Sequence, residues 1–270
     1  MVFCKPFRNS VLVIFGCCAV TGVALAQSEA EIEADLAKTI QNPIASMVTL
    51  PLQFNWLNDI GDEDRRGMNL NIQPVIPFPG EKWNIVTRTI IPLNSAPIGT
   101  TDSVFGFGDV SFSMFFTPSE TGKLIWGVGP MATLPTASNA EVLGTGKWNI
   151  GPTGVVFYGT GNWTMGAVAS QVWSIAGDDD RDDVNQFYVQ WFLNYNLGNG
   201  WAIGSAPIIT ADWEAESGQE WTIPWGLQVS KIMRFGNQPV NLLLGYYRNA
   251  EHPDNGPEAS ARFQVNLLYP

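Results

Sequence analysis

Five aspartates within six positions form the densest group of chemically active side chains in the sequence. Residues 176–186 read AGDDDRDDVNQ, and only Arg181 interrupts the acidic run. Carboxylates this close repel one another unless a cation relieves them, so one interpretation is a calcium or magnesium site built from Asp178, Asp180 and Asp182. The EF-hand pattern does not fit, because the required glycine and glutamate are missing from its sixth and twelfth positions. A catalytic carboxylate pair and a solvated acidic loop are the alternatives.

The sequence has one histidine, His252, so any Ser-His-Asp or histidine–metal chemistry depends on it. It lies within EHPDNGPE, a stretch rich in turn-forming residues. We therefore predict no catalytic residues. An enzyme that modifies outer-leaflet lipids through His252 is retained as an alternative.

The N-terminal residues predict export. Lys5 and Arg8 precede the apolar run 11–26, which ends in Ala-Leu-Ala, a small-residue cleavage signal. Residues 1–26 are thus a predicted signal peptide, and they contain all three cysteines of the chain. Without them the chain offers no disulfide, thiolate metal site or cysteine nucleophile.

Charge and composition narrow the class of protein. Without Lys5 and Arg8, 12 of the 14 basic residues remain against 25 acidic ones, which argues against nucleic acid as a partner. Only 14% of the residues are charged, against about 25% in a typical soluble domain. No apolar run after residue 26 is long enough for a membrane-spanning helix.

Hydrophobic periodicity changes near residue 45. Ile32, Leu36 and Ile40 recur at a spacing of four, which predicts a short periplasmic helix within residues 27–44. From there the period is two, as in QFYVQWFLNYNL (186–197), which indicates strands with one apolar and one polar face. Twelve such segments occur, near 46–57, 67–78, 82–93, 104–117, 122–135, 147–158, 162–175, 185–197, 200–213, 220–233, 238–248 and 258–270.

Three features favour a membrane barrel over a soluble β-sandwich or lipocalin-like barrel, which would show the same alternation. Most segments reach the roughly 9–11 residues of a tilted membrane strand. Connections alternate between long and short, as in outer-membrane barrels with long external loops and short periplasmic turns. Tryptophans lie near the strand ends, where membrane interfaces favour them. The fold class predicted is all-β, a transmembrane antiparallel β-barrel of about 12 strands over residues 45–270 with a short N-terminal periplasmic helix.

Prolines within the predicted strands each remove one donor from the hydrogen-bond ladder, so we expect bulges there. They are Pro74, Pro77, Pro92, Pro130, Pro152, Pro207 and Pro224.

The polar face of the alternation predicts the lumen, because channels and plugged barrels have polar interiors. Arg88 and Asp109, on neighbouring strands, are expected to pair inside. The predicted lumen-lining residues are Arg88, Asp109, Lys123, Gln186, Gln190 and Asn194. Val86, Ile90, Phe115, Ile125 and Met131 share this face and predict an amphipathic passage.

Several strand and loop motifs resemble one known family. They include LNIQPVIPF, GFGDVSFSMFF, GKLIWGVGP, LGTGKWNIGP, WSIAGDDDRDDVNQ and HPDNGP, and the resemblance covers nearly the whole chain after the signal peptide. The sequence is similar to the bacterial outer-membrane transporter-like proteins of the MetA-pathway of phenol degradation, often labelled neuromedin U. This resemblance implies a transporter-like β-barrel and supplies no catalytic residues.

The leading hypothesis is a passive outer-membrane channel for small, hydrophobic or aromatic molecules, a cargo preference that rests on the resemblance alone. The alternative is a structural or surface-binding barrel whose acidic loops bind lipopolysaccharide through cations. Expected partners are outer-membrane lipids, lipopolysaccharide, the barrel-assembly machinery and a small-molecule solute, with no nucleic acid. No cofactor is expected apart from calcium or magnesium at the outer loops.

Overall fold

Alternating side chains along the chain produce an almost entirely β structure. A computed structural model describes residues 41–42, 47–120 and 122–269, so the predicted signal peptide and helix 28–40 lie outside the described residues. The elements are β1 (Val48–Ile60), β2 (Arg65–Ile72), β3 (Val75–Phe78), β4 (Trp83–Ile98), β5 (Asp102–Phe107), β6 (Val110–Pro118), β7 (Leu124–Leu134), α1 (Ala140–Leu143), β8 (Lys147–Thr160), β9 (Trp163–Gly177), β10 (Asn185–Gly198), β11 (Trp201–Ser205), β12 (Ile208–Asp212), β13 (Trp221–Phe235), β14 (Gln238–Glu251) and β15 (Pro257–Tyr269). No helix among the described residues is long and apolar enough to cross a membrane.

The strands close into one antiparallel barrel. Each span pairs with its neighbours in the chain, and β1 pairs with β15 from Val48↔Tyr269 to Ile60↔Pro257, which removes both sheet edges. Three spans are interrupted, between β2 and β3, between β5 and β6, and between β11 and β12. The fifteen segments therefore form twelve spans, and the 12-strand prediction is confirmed.

Prolines account for two of the three interruptions. Pro74 separates β2 from β3 and Pro207 separates β11 from β12, while Pro224 lies at a register shift between β13 and β14. The third interruption, at Gly108–Asp109, contains no proline. Pro92 of β4 lies opposite this interruption, where the pairing shifts by one residue between Ile90↔Ser111 and Leu93↔Phe107. Pro77, Pro130 and Pro152 lie within strands whose pairing keeps its register, so the expectation of bulges is wrong for them.

The two ends of the barrel differ in their connections. One end, the turn end, has the connections 79–82, 119–123, 161–162, 199–200 and 236–237. The other, the loop end, has the longer ones 135–146, 178–184 and 213–220 together with 252–256, 61–64 and 99–101. The alternation in the sequence predicts long loops at 58–67 and 94–103. In the structure these connections are the short turns 61–64 and 99–101, because the flanking strands continue to pair beyond their predicted ends.

The exterior of the barrel is apolar, with tryptophans at both rims. Trp83, Trp126, Trp163 and Trp201 are exposed near the turn end, and Trp56, Trp148, Trp173 and Trp213 near the loop end. Between them lie exposed aliphatic side chains such as Val128, Leu227 and Leu244. Amphipathic indole rings suit the two membrane–water interfaces, and the apolar belt suits lipid.

Candidate functional site: the lumen and its chambers

Inward-facing side chains of β4 to β13 enclose a cavity of about 680 Å³ at the loop end, which we call the outer chamber. Apolar and hydroxyl side chains alternate on its wall, so it is amphipathic. Its lining includes Arg88, Ile90, Ser111, Ser113, Met131, Thr133, Thr153, Val168, Ser170, Val172, Gln186, Phe187, Tyr188, Thr210, Asp212, Glu216 and Glu220. This volume lies in the range of about 300–1,000 Å³ that is usual for small-molecule sites.

A cavity of about 180 Å³, which we call the inner chamber, lies at the turn end, and another of about 260 Å³ lies beside β1, β2 and β13 to β15. Gln41 forms part of the wall of the inner chamber, donating to Asn196 Oδ1 at 3.0 Å and accepting from the hydroxyl of buried Thr164. Gln41 and Asn42 of segment 27–44 therefore lie inside the barrel at this end.

Arg88 and Val168 line both chambers and so mark the boundary between them. At this level, buried apolar side chains fill one side of the barrel. They form two clusters that both pack against Ile125. One consists of Val75, Val86, Phe115, Val155 and Val168, and the other of Phe157, Phe192 and Ala206. The apolar packing narrows the lumen to the opposite, polar side.

That polar side is a continuous hydrogen-bonded network centred on Arg262 of β15. The Arg262 guanidinium donates from Nε to Asn55 Oδ1 and from Nη1 to the Ala206 carbonyl, both at 3.1 Å. It also lies over the Tyr247 ring, 4.9 Å from its centroid. Pro207 interrupts its strand and cannot donate to the ladder, which helps explain why the Ala206 carbonyl is available to a side chain.

From Arg262 the network extends around the wall in both directions. On one side it runs through Asn55 and Gln53 to Gln73, which accepts from Arg88 Nη2 at 2.6 Å. On the other, the Tyr247 hydroxyl donates to Gln228 Oε1 at 2.8 Å, and Gln228 donates to Asn194. Buried networks whose members are satisfied stiffen a structure, so this wall is a rigid one.

Asp109 holds a loop-end connection instead of lining a chamber. Its carboxylate lies at the β5–β6 interruption and accepts from the backbone N–H groups of Ala137 at 3.0 Å and Thr145 at 2.7 Å, and from the Thr145 hydroxyl. It thereby fixes both ends of the segment 135–146, which carries α1. Leu143 of α1 packs against the inner face of β5, where a Cβ on Gly106 would come within 3.2 Å of it.

We predict that Asp109→Ala releases this segment. The loss of charge-assisted hydrogen bonds is expected to cost about 1–3 kcal/mol locally, and a glutamate-specific protease should then cut faster after exposed Glu141. Asp62→Ala, at an exposed aspartate of the same end, is the matched control. Equal cleavage of the two variants would contradict the role of Asp109.

The acidic stretch 176–186 contacts the same segment through Arg181. Arg181 donates to the carbonyl oxygens of Gly144 at 3.2 Å and Thr145 at 3.4 Å. Asp183 forms an ion pair with Lys147 at 3.6 Å and accepts from Ser174, while Asp178 accepts from the N–H of Asp180. Within the described part of the chain no group of three or more histidine, cysteine or acidic side chains is arranged to hold a metal ion. Cation binding by Asp178, Asp180 and Asp182 stays a prediction.

Four of the six predicted lumen residues lie on chamber walls: Arg88 in both chambers, Gln186 in the outer one, and Gln190 and Asn194 in the inner one. Their part in solute passage stays a prediction. Two predictions need correction. Lys123 is exposed in the turn before β7, and Asp109 binds the segment 135–146 instead of Arg88. The two side chains do not pair because the strand partner of Arg88 is Ser113. Asp109 lies four residues before Ser113, which is about 13 Å along the strand.

Sequence reasoning missed Arg262, Gln41 and Tyr247. Arg262 stands on the polar face of the last strand, so the alternation already placed it inside. His252 lies in the turn 252–256, where its Nδ1 is 2.9 Å from the Pro253 carbonyl oxygen.

A family described as "Putative MetA-pathway of phenol degradation" matches residues 80–265, which is most of the barrel. The chain belongs to this family. Among solved structures it is similar to an outer-membrane channel from Pseudomonas putida F1, with a TM-score of 0.63, 14% identity, and coverage of 83% of this chain and 95% of that one. The NanC porin aligns with a TM-score of 0.49 and 8% identity over 83% of this chain and 99% of that one. A search of curated proteins finds no significant match.

As a member of this family with a lipid-compatible exterior, the barrel lies in the outer membrane of a Gram-negative bacterium.

Proposed function

We propose that the protein is a passive channel that admits small, hydrophobic or aromatic molecules through its lumen. The observation that carries this proposal is the outer chamber of about 680 Å³ within a membrane-spanning barrel, lined by both apolar and hydroxyl side chains. A barrel that served only as a scaffold would gain nothing from an open interior of this size, because close packing stabilises better.

The composition of the wall supports a small amphipathic solute over a large polar one. Ile90, Met131 and Val172 offer apolar contact, and Ser111 and Thr133 offer hydrogen bonds. The apolar clusters and the Arg262 network occupy part of the lumen between the chambers, so we expect passage to be restricted to small molecules. The name of the family agrees with an aromatic cargo.

Conductance across planar lipid bilayers tests the proposal. The purified protein should produce discrete current steps, and deletion of its gene should slow uptake of small aromatic solutes by cells. Absence of current steps together with unchanged uptake would refute the channel.

The alternative, a non-transport barrel, draws support from the turn end, where Gln41 lies inside the lumen and is hydrogen-bonded to Thr164 and Asn196. It predicts no current in the wild-type protein and lipopolysaccharide binding that depends on divalent cations. A chelator that leaves both lipopolysaccharide binding and current steps unaltered would remove this alternative.

A further inference from the structure

The boundary between the chambers carries a cation, Arg88, that has no acidic partner among the residues the structure describes. Arg88 is half-buried, and within that part of the chain its hydrogen bond to a side chain goes to the neutral Gln73 amide. The ion pairs found in the described ranges are Lys147–Asp183 and Arg248–Glu258, both at the loop end. A guanidinium away from bulk water costs free energy unless charge and hydrogen bonds compensate it, so Arg88 favours an anion beside it.

Arg262, another arginine in the lumen, has a structural role and serves as a comparison. Arg262 is 7% exposed and uses Asn55, Ala206 and the Tyr247 ring as partners. Arg88 uses only part of its five-donor fork on Gln73 and faces both chambers. The remaining donors suit bidentate binding of a carboxylate, which is the geometry that arginine favours.

The surroundings of Arg88 define the rest of the ligand. Ser113 is paired with Arg88 across β4 and β6, and its hydroxyl can add a hydrogen bond to an anion. Ile90, Met131, Val172 and Tyr188 line the chamber above it with apolar surface. A ligand that satisfies both parts carries one anionic group and a compact apolar body.

Acidic side chains at the mouth of the outer chamber act against anions in general. Asp212, Glu216 and Glu220 lie at its loop-end side, where water and salt screen charges beyond about 8 Å. The mouth therefore does not concentrate anions, so the selection of an anionic ligand depends on its direct contact with Arg88.

We propose that Arg88 binds the anionic group of a small organic acid whose apolar body lies in the outer chamber. This inference rests on the proposed channel function for its part in transport, although the binding itself can be measured without any current.

Three probes of similar shape and different charge test the site: phenylacetate, 2-phenylethanol and 2-phenylethylamine. Binding to the detergent-solubilised full-length barrel is measured by calorimetry for the wild type, Arg88→Gln and Arg248→Gln. The Arg248 variant is the control, since that side chain is 61% exposed at the loop end and paired with Glu258. Phenylacetate should bind the wild type and the control alike and bind Arg88→Gln about tenfold more weakly or worse.

The wild type alone also tests the inference, should Arg88→Gln fail to fold. Phenylacetate should bind it more tightly than either uncharged or cationic probe, and equal binding of all three would overturn the proposal. Equal phenylacetate binding to wild type and Arg88→Gln would overturn it too. Binding at Arg88 without current steps in bilayers and with unchanged solute uptake would uphold this site and refute the channel, whereas current steps without phenylacetate binding would do the reverse.

Discussion

Replacing Phe115 with alanine is expected to lower the free energy of unfolding of the barrel by about 3–5 kcal/mol. The Phe115 side chain is 2% exposed and packs in the cluster with Val75, Val86, Val155 and Val168. Truncation removes its apolar contacts and leaves a cavity that rigid barrel walls cannot close. Urea-induced unfolding in lipid vesicles, followed by tryptophan fluorescence, measures the loss.

Phe116→Ala provides the matched control for that variant. Phe116 is the next residue on β6 but faces outward and is 39% exposed. Lipid chains fill the space that its ring leaves, so no cavity term is added, and the loss should be less than half of that for Phe115. Equal losses would show that the inner cluster does not contribute to stability as the packing indicates.

The second large effect is expected at Gly151 of β8, where β9 leaves no space for a side chain. A Cβ at this position would fall onto the carbonyl oxygen of Gln171 on β9, a backbone atom that cannot rotate away. The pairing passes from Ile150↔Trp173 to Thr153↔Ser170 across this point. Gly151→Ala should therefore cost about 1–3 kcal/mol and reduce the fraction of protein that migrates as a folded, heat-modifiable barrel.

Gly154→Ala, on the same strand, distinguishes this steric effect from a general intolerance of side chains. There a Cβ would meet its nearest neighbour, the Gly127 carbonyl oxygen, at 3.8 Å, an ordinary contact. This variant should fold as well as the wild type or gain up to about 1 kcal/mol, because alanine loses less backbone entropy than glycine. A Gly151→Ala barrel as stable as Gly154→Ala would contradict the close approach.

The spans could be predicted from the sequence because alternation is a local property. Every predicted strand overlaps an observed span, and Pro74 and Pro207 already marked two interruptions. The length of the loops could not be predicted in the same way. Asn58, Ile60 and residues 94–98 are paired, although they lack the apolar alternation of a lipid-facing strand, because the neighbouring strands extend equally far.

The candidate site was predictable only in part. Periodicity places Arg88 and Gln186 on the inner face, but it does not identify partners across the barrel. Arg262 binds Asn55 from a position 207 residues away, and such a contact depends on barrel closure. Phe192 broke the polar pattern of β10 in the sequence, and the structure explains it as part of the apolar packing at the chamber boundary.

The acidic stretch 176–186 makes contacts that its composition alone does not predict. Arg181 and Asp183 make its main contacts with neighbouring segments, and these join it to the segment 135–146 and to Lys147. Carboxylates alone therefore say little about chemistry without the neighbours that the fold provides.

Cysteine accessibility with current recording tests the central claim, that solutes pass through the lumen, most directly. The sequence has no cysteine after Cys18, so Thr133→Cys on the wall of the outer chamber and Ala132→Cys on the next, outward position can each be labelled specifically. A charged methanethiosulfonate reagent, added during single-channel recording, should reduce the current of Thr133→Cys and leave that of Ala132→Cys unchanged. A Thr133→Cys current that stays the same after verified labelling would show that ions do not cross through this lumen.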